Sequence, residues 1–150
     1  MNEALFAEPA ASQPLPHSIE AEQAVLGGLM LKNDAFDAAA TVLSDTDFYS
    51  QDHQLIFNAM ARLAEEGQPF DPITLSESLQ NSNELASIGG AEYLVDLASS
   101  TPSSANIAAY TQIVLERSIV RQLISAASET VRKGYNPLGW DSAQLLAEAE

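Results

Sequence analysis

ANIAAYTQIVLERSIVRQLISAASETVRK, residues 105–133, contains neither proline nor glycine. The spacing predicts one continuous helix from Ala105 to Lys133. At about 1.5 Å per residue such a helix reaches about 43 Å. A compact chain of this size is roughly 38 Å across, so a straight helix of this length is expected to project. Its apolar positions are Ile107, Tyr110, Ile113, Val114, Leu115, Ile119, Val120, Leu123, Ile124 and Val131. They cover more than the single stripe of a surface helix, which calls for a packing partner. Gly134 reads as the stop signal, and Arg132 and Lys133 complement the C-terminal dipole. Asp141 then caps a further helix that folds back as a hairpin, and any remaining apolar face is left for another subunit. No stop signal precedes Glu150, which reads as a piece of a longer chain.

Upstream of this element the pattern is also helical. Residues 1–16 hold three prolines and no periodicity, and are expected to form a flexible tail. Ser18 is the expected N-cap of a helix with Glu20 and Glu22 in its first turn, where the dipole favours anions. Gly27-Gly28 interrupts that helix, marking either close approach of a neighbouring helix or a ligand contact. A short helix is expected over Ala35–Leu43, and another from a Ser50 cap to about Glu66, stopped by Gly67. Asp71-Pro72 reads as cap and first helical residue. Gly89-Gly90 precedes a helix to about Ser99. No strand alternation or internal repeat is seen.

The balance of 6 Lys+Arg against 21 Asp+Glu gives a formal charge of −15. Duplex binders present basic faces, so the chain is not expected to grip DNA by itself. With zero cysteines, disulfides, thiolate chemistry and Cys-based zinc sites are excluded. No apolar run reaches the roughly 18 residues of a membrane span.

Chemical motifs are scarce. Neither a phosphate-binding loop nor a dinucleotide fingerprint occurs, so no nucleotide site is expected. His17 and His53 form no metal-ligand pair, and His53 reads as a surface or packing residue. Asp45, Asp47 and Asp52 lack the glycine and terminal glutamate of a calcium loop and read as caps and solvated acids. No catalytic, cofactor or metal residue is assigned. Residues 1–116 hold only Lys32 and Arg62 as cations, whereas Arg117, Arg121, Arg132 and Lys133 all lie on the long helix. Arg117 and Arg121 share a face. That face is either simply solvated or a basic stripe for a partner or subunit.

Several blocks then occur together in order: LPHSIEAEQAVLGGLM (15–30), DFY (47–49), HQLIF (53–57), DPIT (71–74), IGGAEYL (88–94), TPSSAN (101–106) and Gly134-Tyr135. Over about residues 14–150 the chain closely resembles the N-terminal domain of bacterial DnaB-type replicative DNA helicases. That resemblance implies an all-α domain, with a helical head (17–103) followed by a projecting antiparallel hairpin (104–150). It implies a non-catalytic collar that dimerises through its hairpins, forms a trimer of dimers, and docks the helicase-binding domain of primase in the cytoplasmic replisome. ATP, Mg and DNA contact would belong to a separate motor domain. Ile107, Tyr110, Val114, Leu123 and Ile124 are then the expected oligomer interface. Glu20, Tyr93, Arg117, Arg121 and Ile124 are the expected primase contacts. Arg121 is the foremost of these, because the sequence offers its charge no intramolecular partner. The alternative is a stand-alone helical adaptor or regulator sharing this fold.

Overall fold

A computed structural model describes residues 13–150 apart from Pro102 and Ala105. Most of the expected tail, and the expected helix start at Ala105, lie outside the described residues. The order is α1 (Ile19–Leu31), a 3-10 turn (Asn33–Ala35), α2 (Phe36–Val42) and a second turn (Asp45–Asp47). Then come α3 (Gln51–Glu65), α4 (Pro72–Asn81), a third turn (Ala86–Ile88) and α5 (Gly90–Ser100). The long helix α6 (Ile107–Tyr135) and α7 (Ser142–Ala149) complete the fold, and no strand forms among the described residues. These residues group into two compact units. One is His17–Ser118; the other is Ile119–Glu150 with the segment ending at Pro16.

Local chemistry explains the helix starts. Ser18 Oγ accepts the Ala21 N–H at 3.2 Å, satisfying one of the orphan donors of a first turn. Asp71 Oδ1 accepts the Ile73 and Thr74 N–H groups, each at 2.9 Å, and Thr74 Oγ1 accepts the Asp71 N–H at 2.9 Å. Pro72 at the first position has no N–H to orphan. Asp141 and Gln144 form the same reciprocal box at α7, at 2.8 and 2.9 Å. Ser50, the expected cap of α3, makes no side-chain capping bond. Its own N–H and that of Tyr49, just before the helix, are instead bound by Glu22 of α1.

Gly134 is not the stop signal that its position suggested. The helix runs through it to Tyr135, and the turn forms where Leu138 (φ 52°) and Gly139 (φ 94°) adopt left-handed backbone. Pro137 is the physical stop, since it cannot donate into the helical ladder. Beyond the turn, Lys133 ties α7 back to α6. Its Nζ pairs with Glu148 and lies 4.1 Å from the centre of the Trp140 ring.

In the His17–Ser118 unit, Val25, Leu26, Leu29, Ile56, Met60, Leu75, Leu79, Leu94 and Leu97 form a closed core among α1, α3, α4 and α5. Phe36, Phe48, Phe57 and Phe70 cluster beside it, with ring centres 5.0–5.4 Å apart. The glycine pair allows α1 to join this packing. A Cβ on Gly27 would lie 2.5 Å from the Leu97 carbonyl, and one on Gly28 would lie 2.7 Å from Ile107 Cγ1. Close helix approach is therefore the role of both glycines.

The first turns of α6 also belong to this unit. Ile107, Thr111, Val114 and Ser118 are its buried positions, a single stripe at helical spacing. Ile107 and Val114, expected at an oligomer interface, are covered by the chain's own core. Tyr110 is half-buried against that core.

Gly27→Val should destabilise the chain by about 2–3 kcal/mol, because backbone must shift to admit the side chain. Gly134→Ala, which meets nothing within 4 Å, should instead stabilise by about 1 kcal/mol. Urea unfolding of the two variants checks both signs.

Candidate functional site

The polar centre of the His17–Ser118 unit is built on Glu22. Sequence position made it a first-turn acid, and the structure buries it at 1% exposure. Its Oε2 accepts the Tyr49 N–H at 2.7 Å, and its Oε1 accepts the Ser50 N–H at 3.3 Å. Oε1 also lies 2.7 Å from His53 Nδ1. A carboxylate only accepts, so the ring proton facing it sits on Nδ1. His53, also 1% exposed, reaches Tyr93 Oη with Nε2 at 2.6 Å. The two rings stack at 5.9 Å with planes 10° apart. Gln23 Nε2 donates to the same Tyr93 oxygen at 3.3 Å. One connected set of hydrogen bonds thus joins α1, α3 and α5. His53 is a buried structural residue, not a surface one.

Tyr93 is the outward end of this set and is half-buried. Burial pushes its hydroxyl above the ordinary tyrosine value. The Gln23 hydrogen bond works the other way, and the charges of Asp52, Glu22 and Asp96 add to the rise. Exposed Glu20 lies three residues before Gln23 on α1, hence on the same face. The structure therefore gathers Glu20, Gln23 and Tyr93 at one region of α1 and α5.

Arg117 is exposed and lies in the same unit as Tyr93. Arg121 and Ile124 belong to the other unit. Arg121 is not without an intramolecular partner, as its sequence context suggested. Its Nη1 donates to the Pro16 carbonyl at 2.8 Å. A contact spanning 105 residues leaves no local pattern to read. Leu123 is 66% exposed and Ile124 37% exposed. The Asp45–Asp52 acids act as follows: Asp47 Oδ2 accepts the Ser44 N–H at 2.8 Å, and its Oδ1 accepts the Ser118 hydroxyl at 2.6 Å. Asp47 thereby anchors α6 while capping a turn.

These features define an all-helical domain whose buried Glu22–His53–Tyr93 network joins three of its helices. The chain belongs to the DnaB-like helicase N terminal domain family, which matches residues 14–116. It is similar to the replicative DNA helicase DnaB of Buchnera aphidicola, 48% identical over 136 residues. That match covers 91% of this chain and 29% of the relative. The fold is similar to the crystal structure of the N-terminal domain of DnaB helicase from Mycobacterium tuberculosis. There the TM-score is 0.86 at 38% identity, covering 91% of this chain and 95% of the other. The N-terminal domain of Helicobacter pylori DnaB helicase, described together with its interactions with primase, matches at TM-score 0.66 and 28% identity. That alignment covers 77% of this chain and 89% of the other. The chain spans under a third of the curated relative.

Glu22→Ala should cost about 3 kcal/mol, since it strands two backbone donors and a histidine nitrogen in the core. In an alkaline absorbance titration Tyr93 should ionise after an ordinary tyrosine, and Tyr93→Phe should remove that late step. Because its folded value is raised, its contribution to stability holds below the ordinary tyrosine range and is lost as pH climbs through the raised value. A titration unchanged by Tyr93→Phe would contradict this assignment.

Proposed function

We propose that this domain is the assembly and docking collar of a hexameric replicative helicase. In this reading residues 17–103 form the head and residues 104–150 the dimer-forming helix pair. Pairs of subunits assemble as a trimer of dimers, and the collar receives the helicase-binding domain of primase. The motor, with ATP and Mg, and the contact with DNA belong to the rest of the protein, in the bacterial cytoplasm.

The observation that carries this reading is the apolar surface of α6 beyond Ser118. Ile119 is 48% exposed, Leu123 66%, Ile124 37% and Val131 58%. No residue from Ile119 to Tyr135 is buried. Apolar side chains held this openly on one helix mark an association surface. Leu123 and Ile124 are its centre; Tyr110, half-buried in the other unit, is kept as a further candidate for the oligomer interface. The Helicobacter pylori domain described with its interactions with primase supports a primase partner, and Glu20, Tyr93, Arg117, Arg121 and Ile124 are the proposed contacts.

Sedimentation of the 150-residue chain should show concentration-dependent association. Leu123→Asp and Ile124→Asp should each weaken it by about tenfold or more while leaving helical circular dichroism unchanged. Val114→Asp is unsuitable, because Val114 is core. A chain that stays monomeric at every concentration would sink the assembly reading. Absence of calorimetric binding to a primase helicase-binding domain would sink the docking reading.

A further inference from the structure

A second surface of the His17–Ser118 unit lies away from the Tyr93 network. Ala35, Ala38, Ala39 and Val42 recur at i, i+3, i+4 and i+7 along the turn into α2 and α2 itself. Ile107, Ala108, Thr111 and Gln112 form the matching row on α6. Together with Lys32 and Ser104 they line a groove of about 320 Å³. Both walls are helix faces, and both are dominated by small or aliphatic side chains. A row from Ala35 to Val42 is about 10 Å long, or two helical turns. Small residues let a third helix backbone come close, and such a trough is the kind into which an amphipathic helix lays its apolar stripe.

Two polar side chains of the groove lack partners among the described residues. Thr111 is 4% exposed, and its hydroxyl has no hydrogen-bond partner among the described residues. An unpaired buried hydroxyl is costly, which makes it a point where an occupant gains a bond. Lys32, exposed at the groove, forms no ion pair among the described residues. Arg62, the other cation of residues 1–116, lies 3.8 Å from Glu84. Exposed Asp34 and Asp37 flank the same wall.

We propose that this groove receives a helix of a partner protein. The helix carries a narrow small or apolar stripe, a carboxylate for Lys32, a hydroxyl or amide for Thr111 within two turns, and basic flanks facing Asp34 and Asp37. This surface is separate from the primase contacts proposed above and does not depend on them.

Two 18-residue Ala/Leu-based helical peptides test it. One carries a Glu, a Gln seven residues later and Lys on its outer faces; its twin has Lys in place of the Glu. The first should shift the amide NMR signals of Ala38, Ala39, Ala108 and Thr111 saturably. The twin should bind about tenfold more weakly, and Lys32→Glu should invert that preference. Thr111→Val should weaken binding of the first peptide about fivefold while raising the Tm of the free chain. A merely structural Thr111 would move Tm and leave peptide affinity alone. Shifts centred elsewhere, or a preference unaffected by Lys32→Glu, would overturn the proposal. So would sedimentation showing that Lys32→Glu dissociates copies of the chain, since the groove would then hold a second copy.

Discussion

A carboxylate removed from water is tolerated only where donors replace its hydration, and Glu22 organises the domain around that requirement. Its donors come from Tyr49, Ser50 and His53, about thirty residues downstream. The Tyr49 and Ser50 N–H groups lie at the entry to α3, where unpaired donors and the positive end of the helix dipole favour an anion. Glu22 therefore pins the segment that enters α3, binding the N–H groups just before the helix rather than the first-turn donors that the caps of α1, α4 and α7 take. Gln54 completes the entry by donating to the Phe48 carbonyl at 2.8 Å, with Phe48 itself buried in the aromatic cluster. His53 then extends the constraint to α5 through Tyr93. One buried acid thus sets the relation of three helices, and the apolar core closes around it.

The parts legible in the sequence were those written in local chemistry. Ser18, Asp71-Pro72 and Asp141 sit at the helix starts because capping depends on residues within one turn. Gly27-Gly28 marked a close approach because few other reasons place two glycines inside an apolar helix. The placement of Glu22 in a first turn was legible for the same local reason, but its burial was not. A first-turn acid has a sufficient local explanation in the helix dipole, and nothing within one turn reveals donors arriving from another helix. Arg121 fails similarly, its partner being the Pro16 carbonyl 105 residues away. Gly134 shows the reverse error. A glycine after a basic last turn looks like a stop, but glycine only permits one, and Pro137 with Gly139 imposes it.

Helix α6 looked apolar on too many faces because two jobs are written along one helix. Up to Ser118 its buried residues fall on one stripe, Ile107, Thr111, Val114 and Ser118. A single periodicity applied to all 29 residues blurs that stripe with the exposed residues that follow. This is also why Ile107 and Val114 looked equivalent to Leu123 and Ile124 in sequence, although the first two are core and the second two are surface. The hydrogen bond from Ser118 to Asp47 marks the last buried position of the helix.

Beyond Ser118 the helix needs another source of stability. Seventeen residues are near the length at which an isolated helix is marginal in water, and none of Ile119–Tyr135 is buried. The ion pairs available there, Arg132 with Glu129 and Lys133 with Glu148, are partly exposed, and such pairs contribute little. Continuity with the packed turns before Ser118 removes the nucleation cost, because propagation adds one bond per residue fixed. It does not explain why Leu123 and Val131 remain apolar, since polar residues would propagate the helix as well. Association through those side chains supplies a reason for their identity. The same logic, applied to the small-residue walls around the unpaired Thr111 hydroxyl, gives the groove beside α2 a partner of its own.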